Sequence, residues 1–506
     1  MKHLLLPATL LFVVFAGCVA DETEEPPMAI DACAPGQIDA EGVRIVGTDF
    51  DVSTLVDTDP WDFQTTNLRT CSIEKVGHTP LRFTADGQPD PHNYLGEIDM
   101  RGDLDLGVVS ALGSSETPTV YLVDISDRAD PIVLSTIEQA GTYIVDVKIS
   151  DDGDYLFTAS QNLPTVGEVP IDPAQPDVFA GFSIYDITDR TAPVFVQSIP
   201  SPDDIGCHMI SHEIIDGTDV VFCVGQQVHA HGLVRTAPGL PFVYLGRFSY
   251  MLPDGDGTLL PGACINDVIV AGDPTGLLCS GPHDMTVRQD EVDGSTYMIA
   301  SHWNEGVRVV DVSNPVNDGF VTVASWDGEG ATHYDGNVHS AMMFWLGDQR
   351  YVVASPEMTY GGVVPSMWIL DATVLDGPME LIAEWYHPAE VPTPGLLHTT
   401  HQWQVAPTGP DATVENATIY LTMNHWGLWA LDFEDMLAGD MQGAIRGIHM
   451  SRAPLDQSTA VGNAILSTWD VNVVDGYIYG SDRATGLWVF DYTEDGPFRP
   501  ELTGFA

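Results

Sequence analysis

Histidine is the residue type in this chain best able to do chemistry, and its placement matters more than its number. Twelve of the sixteen histidines lie between His208 and His425. His212 of Ser-His-Glu-Ile, His283 of Pro-His-Asp-Met, His339 of Val-His-Ser-Ala and His401 of Thr-His-Gln-Trp fall at one position of four consecutive repeating units. His302 of Ser-His-Trp-Asn and His425 of Asn-His-Trp-Gly fall in a loop expected on the same face, with His208, His333 and His398 in or near the loops leading in. Neutral imidazole suits copper, zinc, iron or nickel, and a neighbouring carboxylate such as Glu213 or Asp284 can join the ion or orient a ring. The expected site is therefore His212, His283, His339, His401, His302 and His425 around one transition metal ion, copper, zinc or iron. Single core histidines more often satisfy turns, so the repeated position carries the argument. Trp303, Trp403 and Trp426 are expected to be packing wall.

Other signatures are missing. There is no Gly-x-Ser-x-Gly elbow, no phosphate-cradling Gly-Lys-Ser loop and no His-Glu-x-x-His, since His212-Glu213 is followed by Ile-Ile-Asp. Asp254-Gly-Asp256-Gly and Asp151-Asp152-Gly-Asp154 read as turns, because neither continues into calcium-loop spacing.

The elements that must position the histidines follow from an internal repeat. Hydrophobic strands end in Asp124, Asp186, Asp311, Asp371, Asp432 and Asp491, separated by 62, 125, 60, 61 and 59 residues. The double-length gap holds Phe242-Val-Tyr-Leu-Gly246 at its midpoint, with glycine in place of aspartate, which makes seven units. Residues 283 to 326 divide into four short strands joined by Asp-Gly, Asn-Glu-Gly and Ser-Asn-Pro turns. Four strands per unit and seven units predict an all-β, seven-bladed β-propeller with four-stranded antiparallel blades over residues 80–506. Each aspartate should close the turn after the third strand by accepting from backbone N–H groups. The first strands line the channel, which brings distant histidines together. Blade seven is expected to own its fourth strand, through Glu501 to Phe505, and residues 32–79 are expected to form a small cap or a segment that closes the ring, the cap ranking first.

The chain ends and the charge bound the setting. Lys2 and His3 precede an apolar run, Leu4 to Phe15, too short to span a bilayer. Phe15-Ala16-Gly17-Cys18 resembles the lipobox of bacterial lipoproteins. The expectation is a signal peptide over 1–17, lipidation at Cys18 and an acidic tether over 18–31, giving an exported outer-membrane or cell-surface protein held to the membrane by lipid. The other six cysteines, Cys33, Cys71, Cys207, Cys223, Cys264 and Cys279, suit disulfides, with sequence neighbours giving Cys33–Cys71, Cys207–Cys223 and Cys264–Cys279. A formal charge of −55 argues against nucleic acid as a partner and for a solvated, aggregation-resistant surface.

Tyr121-Leu-Val-Asp-Ile-Ser-Asp127, Tyr185-Asp-Ile-Thr-Asp189 and Val309-Val-Asp-Val-Ser-Asn-Pro315 resemble the units of bacterial proteins with LVIVD repeats, a likeness that covers most of residues 80 to 506 and implies a propeller but no activity. Pro282-His-Asp-Met-Thr-Val287, Ala300-Ser-His-Trp-Asn304 and Val307-Arg-Val-Val-Asp311 resemble one blade of the selenium-binding protein and methanethiol oxidase family, which implies a histidine-bound metal and oxidation of small thiols. Two functions are therefore expected: a binding or scaffold module for an unknown protein, polymer or small molecule, and alternatively a histidine-coordinated transition-metal enzyme at the channel mouth.

Overall fold

The computed structural model describes residues 37–38, 43–46, 68–81, 93–113, 119–139, 143–161, 180–202, 206–225, 227–233, 242–248, 282–302, 305–316, 319–334, 338–356, 366–387, 400–450, 468–483 and 485–493. Their strands form seven antiparallel sheets arranged as blades. From inner to outer strand, blade one is Asn93–Arg101, Leu106–Gly113, Thr119–Asp124 and Ile132–Glu138, and blade two is Tyr143–Ile149, Tyr155–Gln161, Gly181–Asp186 and Val194–Pro200. Blade three is Met209–Ile215, Thr218–Val224, Val228–Leu233 and Phe242–Phe248, and blade four is Pro282–Gln289, Thr296–His302, Gly306–Asp311 and Val321–Trp326. Blade five is Ser340–Leu346, Gln349–Ser355, Ser366–Asp371 and Glu380–Tyr386, and blade six is Thr400–Ala406, Thr418–Met423, Gly427–Asp432 and Ile445–Met450. Blade seven starts with Thr468–Val474, Tyr477–Asp482 and Gly486–Tyr492. The seven inner strands touch in chain order, and the seventh touches the first, so the ring is closed.

Alternating apolar positions place one row of each strand against the blade before it and the other row against the blade after it. Trp326, Trp345 and Trp368 fill the space between blades four and five, and Phe344, Trp385, Trp403, Trp429 and Phe433 fill that between five and six. Trp403 and Trp426 are buried wall residues, as their hydrophobic context requires.

Four of the six repeat aspartates act as expected. Asp124, Asp186, Asp311 and Asp371 accept from the backbone N–H two residues on, at 2.8–3.0 Å. Asp432 instead caps a short helix, Phe433–Ala438, through the Asp435 N–H. The turns that open the third strands need glycine. A Cβ on Gly306 would lie 1.9 Å from the Trp326 carbonyl oxygen, and one on Gly427 would lie 2.2 Å from that of His449, both at positive φ.

Two expectations are corrected. Phe242–Phe248 is the outer strand of blade three, not its third, because Val228–Leu233 pairs with Thr218–Val224 and supplies the third strand. Leu233 pairs with Asp219 as Asp311 pairs with Tyr297, so an apolar residue stands where the repeat aspartate would be. The sequence before the first blade takes the second of its two expected roles, that of a closing segment. Ile73–Thr79 pairs antiparallel with Gly486–Tyr492 as the outer strand of blade seven and closes the ring, while Leu68–Thr70 and Arg44–Val46 extend blade six to six strands. Glu501 to Phe505, expected to supply that strand, lie outside the described residues.

Candidate imidazole site at the channel mouth

The inner strands carry a bulge that sets the site. In blades one, two, four, six and seven the pairing register slips after the first residues of the inner strand, where extra residues break the alternation and bring consecutive side chains to the channel wall. Carried through the register, one position holds Gly96, Val145, His208, His283, His339, His401 and Trp469 in blades one to seven. The next holds Glu97, Asp146, Met209, Asp284, Ser340, Gln402 and Asp470.

The first of these positions is an arc of imidazoles, each ring against the next. Ring centroids are 4.5 Å apart for His208 and His283, 4.4 Å for His283 and His339, 4.6 Å for His339 and His401, and 3.7 Å for His401 and Trp469. All four histidines are buried. Burial pushes His208 down to about 4 and holds His283, His339 and His401 well below the usual histidine range. The rings are therefore neutral at pH 7.

Their tautomers follow from their acceptors. His208 Nδ1 donates to Gln161 Oε1 at 2.8 Å, His283 Nδ1 to the His339 carbonyl at 3.4 Å and His401 Nδ1 to the Trp469 carbonyl at 2.7 Å. A carbonyl oxygen only accepts, so the proton is on Nδ1 and the lone pair on Nε2 in each of the three.

One residue deeper lies a layer of buried ionisable groups. Glu97 hydrogen-bonds Asp470, and burial together with that neighbour raises its pKa well above the usual carboxyl range, so the pair holds a proton. Burial also lifts Asp284 to about 7 and raises Asp470. Gln402 reaches from blade six to Asp284 of blade four at 3.2 Å and accepts from Ser340 of blade five at 2.9 Å. Asp146 bonds Lys148 at 2.5 Å and accepts from the Ile210 N–H of the next blade, as Asp470 does from the Ile98 N–H. The layer laces the blades together and leaves the interior of the channel acidic beneath neutral imidazoles.

The structure redistributes the expected ligands. His283, His339 and His401 belong to the arc, but the blade-three member is His208 and not His212. His212 stands four residues further along, where the other blades carry Met100, Ile149, Val287, Met343, Val405 and Val473. Its ring lies 5.2 Å from that of Phe157 in blade two, and its Nε2 donates to Asp219 at 2.9 Å, with Asp151 3.6 Å from Nδ1. Burial opposes its charge, but the two aspartates outweigh burial and lift it to about 9, which favours the imidazolium at this position outside the arc. His302 ends the second strand of blade four and turns edge-on to Phe248 of blade three, outside the arc. His425 falls in the 3-10 turn Asn424–Trp426, and its side chain is outside the described residues, as are Cys18, Cys33, Cys264, Cys279 and Trp303. Asp284 faces the channel, where Gln402 of blade six reaches it, because the bulge breaks the alternation of the inner strand. Among the described residues, no three His, Cys, Asp or Glu side chains converge closely enough, as they stand, to hold a metal ion.

The signal that finds His208 is its distance to the following turn. It precedes Gly217 by nine residues, as His339 and His401 precede Gly347 and Gly409 by eight, whereas His212 precedes Gly217 by five. A disulfide, Cys207–Cys223, sits directly beside it, as expected from the sequence neighbours. Cys71 is also disulfide-bonded.

No protein-family model matches the chain, and no curated protein sequence matches it. Among solved structures it is similar to the β-propeller domain of Cps50 (Swd1) from Myceliophteria thermophila, with 10% identity and a TM-score of 0.43 over 79% of this chain and 100% of that one. No helix among the described residues is long and apolar enough to cross a membrane.

Proposed function

We propose that the protein is an exported lipoprotein whose propeller is a binding module, with the channel mouth as its ligand site. The observation that carries this is the arc of four neutral imidazoles, contributed by four successive blades at the one place where the ring brings them together. The export signal and the cysteine of Phe15-Ala16-Gly17-Cys18 support anchoring by lipid alone. In the producing cell, the wild-type chain should sediment with membranes and incorporate labelled palmitate, and Cys18→Ser should abolish both. A soluble, unlabelled wild type would remove the anchor from the reading. The ligand site is tested by melting-temperature shifts over a panel of small molecules, with His339→Ala as control. If no shift depends on His339, the mouth is not the site.

A second reading is favoured by one specific observation, the tautomers. Metal-binding imidazoles characteristically donate one ring N–H to a carbonyl or carboxylate and offer the other nitrogen, and His208, His283 and His401 are arranged in that way. His208, His283, His339 and His401 would hold copper, zinc or iron, and a bound ion with an open position supplies Lewis-acid or redox chemistry. The one-blade likeness to the selenium-binding protein and methanethiol oxidase family points the same way. The expected result is about one equivalent of transition metal after mild purification, by the composition of one such site. His283→Ala with His401→Ala should lose it while remaining folded. Wild-type protein that retains no metal and takes up none when offered copper or zinc would end this reading.

A further inference from the structure

We propose that the interface between blades six and seven takes up a small nonpolar molecule, about the size of a diatomic gas, in a pocket walled by Leu428, Gly480, Trp488 and Phe490. The pocket is distinct from the imidazole arc, and the proposal stands whichever reading of the mouth holds.

The pocket exists because one repeat position lacks a side chain. Opposite the inner-strand residue that follows the acidic layer, blades one, two, four, five and six carry Val109, Thr158, Ala300, Ala354 and Leu421 on the second strand. Blade seven carries Gly480 there, opposite Val471. Nothing in the backbone requires this glycine, which lies inside the strand Tyr477–Asp482 without a positive φ. Crowding does not require it either. A Cβ at Gly480 would lie 3.6 Å from Phe490 Cε2 and 3.9 Å from the Asp470 carbonyl oxygen, both ordinary contacts. Gly447 of blade six is the opposite case, since a Cβ there would lie 2.8 Å from Ile73. A glycine inside a strand weakens it and often marks a place where a ligand approaches closely. What Gly480 supplies is space.

The wall around that space is dry. Thr422 Oγ1 donates to the carbonyls of Gln402 and Trp469, and Thr468 Oγ1 to those of Met423 and Gly427, so each threonine offers the pocket its methyl group. Trp488 Nε1 donates to Thr485 Oγ1, and its ring stacks parallel to that of Phe490, against which His449 also packs at 4.6 Å. Water needs two or more polar partners to settle in a cavity, and apolar cavities stay dry and accept nonpolar guests. The space is about 300 Å³ with the part open to solvent included, and only a small part of it is sheltered, which limits the guest to a small molecule.

The test is xenon, dissolved under pressure with the full chain and read through labelled leucine and threonine methyl resonances. Leu428 and Thr422 should shift with a saturating dependence on xenon pressure, whereas Leu370, packed between blades four and five, should not move. Gly480→Ala puts one methyl group into the space and should weaken the response severalfold at an unchanged or higher melting temperature. Gly480→Val should remove it. Leu428→Phe fills the space from blade six and should also remove the Thr422 response, which decides the matter should the glycine variants misfold. The proposal is overturned by wild-type protein without a saturating shift, by a response that persists undiminished in the filled variants, by a lowered melting temperature in Gly480→Ala, or by magnetisation transfer from an ordered water to the Leu428 methyls.

Discussion

His208 and His212 are four residues apart on one strand edge, both are buried, and they are opposite acids. His208 sits in the channel arc, meets other neutral rings and an amide oxygen, and cannot hold a proton at neutral pH. His212 sits between blades two and three, meets two aspartates, and keeps its proton to about 9. Burial penalises the cation in both cases, so the difference comes from the counter-charge. A histidine in a core is thus a structural cation or a potential ligand according to the counter-charge within its reach.

The comparison can be broken in four ways. The largest effect should come from His212→Ala, which takes the imidazolium from Asp219, itself buried on the second strand of blade three. Loss of one partner of a buried pair costs roughly 3–5 kcal/mol. Denaturant midpoints should fall accordingly, with any metal uptake by the arc unchanged. A midpoint within experimental error of wild type would show that the pair is solvated and not a clamp.

Replacing Cys207 and Cys223 by serine should cost about 3 kcal/mol, given the short loop that the disulfide closes. Because Cys207 adjoins His208, the change should also disturb the arc, visible as altered His208 proton resonances beside unaltered His212 ones. Equal perturbation of the two would deny the disulfide a local role.

The pH dependence should have opposite signs in the two regions. His212 has a folded pKa raised to about 9, so its contribution is complete below about 6.5, the unfolded value, and is lost as pH rises through about 9. His208 has a folded pKa lowered to about 4, so its contribution is complete above about 6.5 and is lost as pH falls toward about 4. Melting temperature against pH should lose part of its alkaline slope in His212→Gln and part of its acid slope in His208→Gln. Slopes that change in the reverse order would exchange the two assignments.

The smallest effect belongs to a position remote from both. Asp311→Ala removes the acceptor for the Ser313 N–H in a part-buried turn and should cost about 1 kcal/mol. It should leave both pH limbs in place.

The architecture was legible because six of the seven third strands end in an aspartate, which in four of them folds onto its own turn and needs no tertiary partner to be recognised. Blade three hides for the same reason: Leu233 replaces that aspartate, and its strand, Val228-His-Ala-His-Gly-Leu233, looks less like a strand than Phe242-Val-Tyr-Leu-Gly246 does. The arc was legible in three of four members. His212 was mistaken for the fourth because a histidine followed by Glu-Ile-Ile fits an inner strand in either register, and a bulge shifts the register by an amount that alternation alone cannot show. The closing strand ranked behind a cap in the sequence because Ile73–Thr79 finds its partner more than four hundred residues away.

That closure sets an order of events during synthesis. The outer strand of blade seven is made first and its partner, Gly486–Tyr492, last, so the ring cannot seal on a growing chain. Until the final blade arrives, the early strand and the open flank of blade one present unpaired edges, which invite association with other chains. A protein built this way favours folding after its full length is available, and shortening it at the far end should damage its beginning.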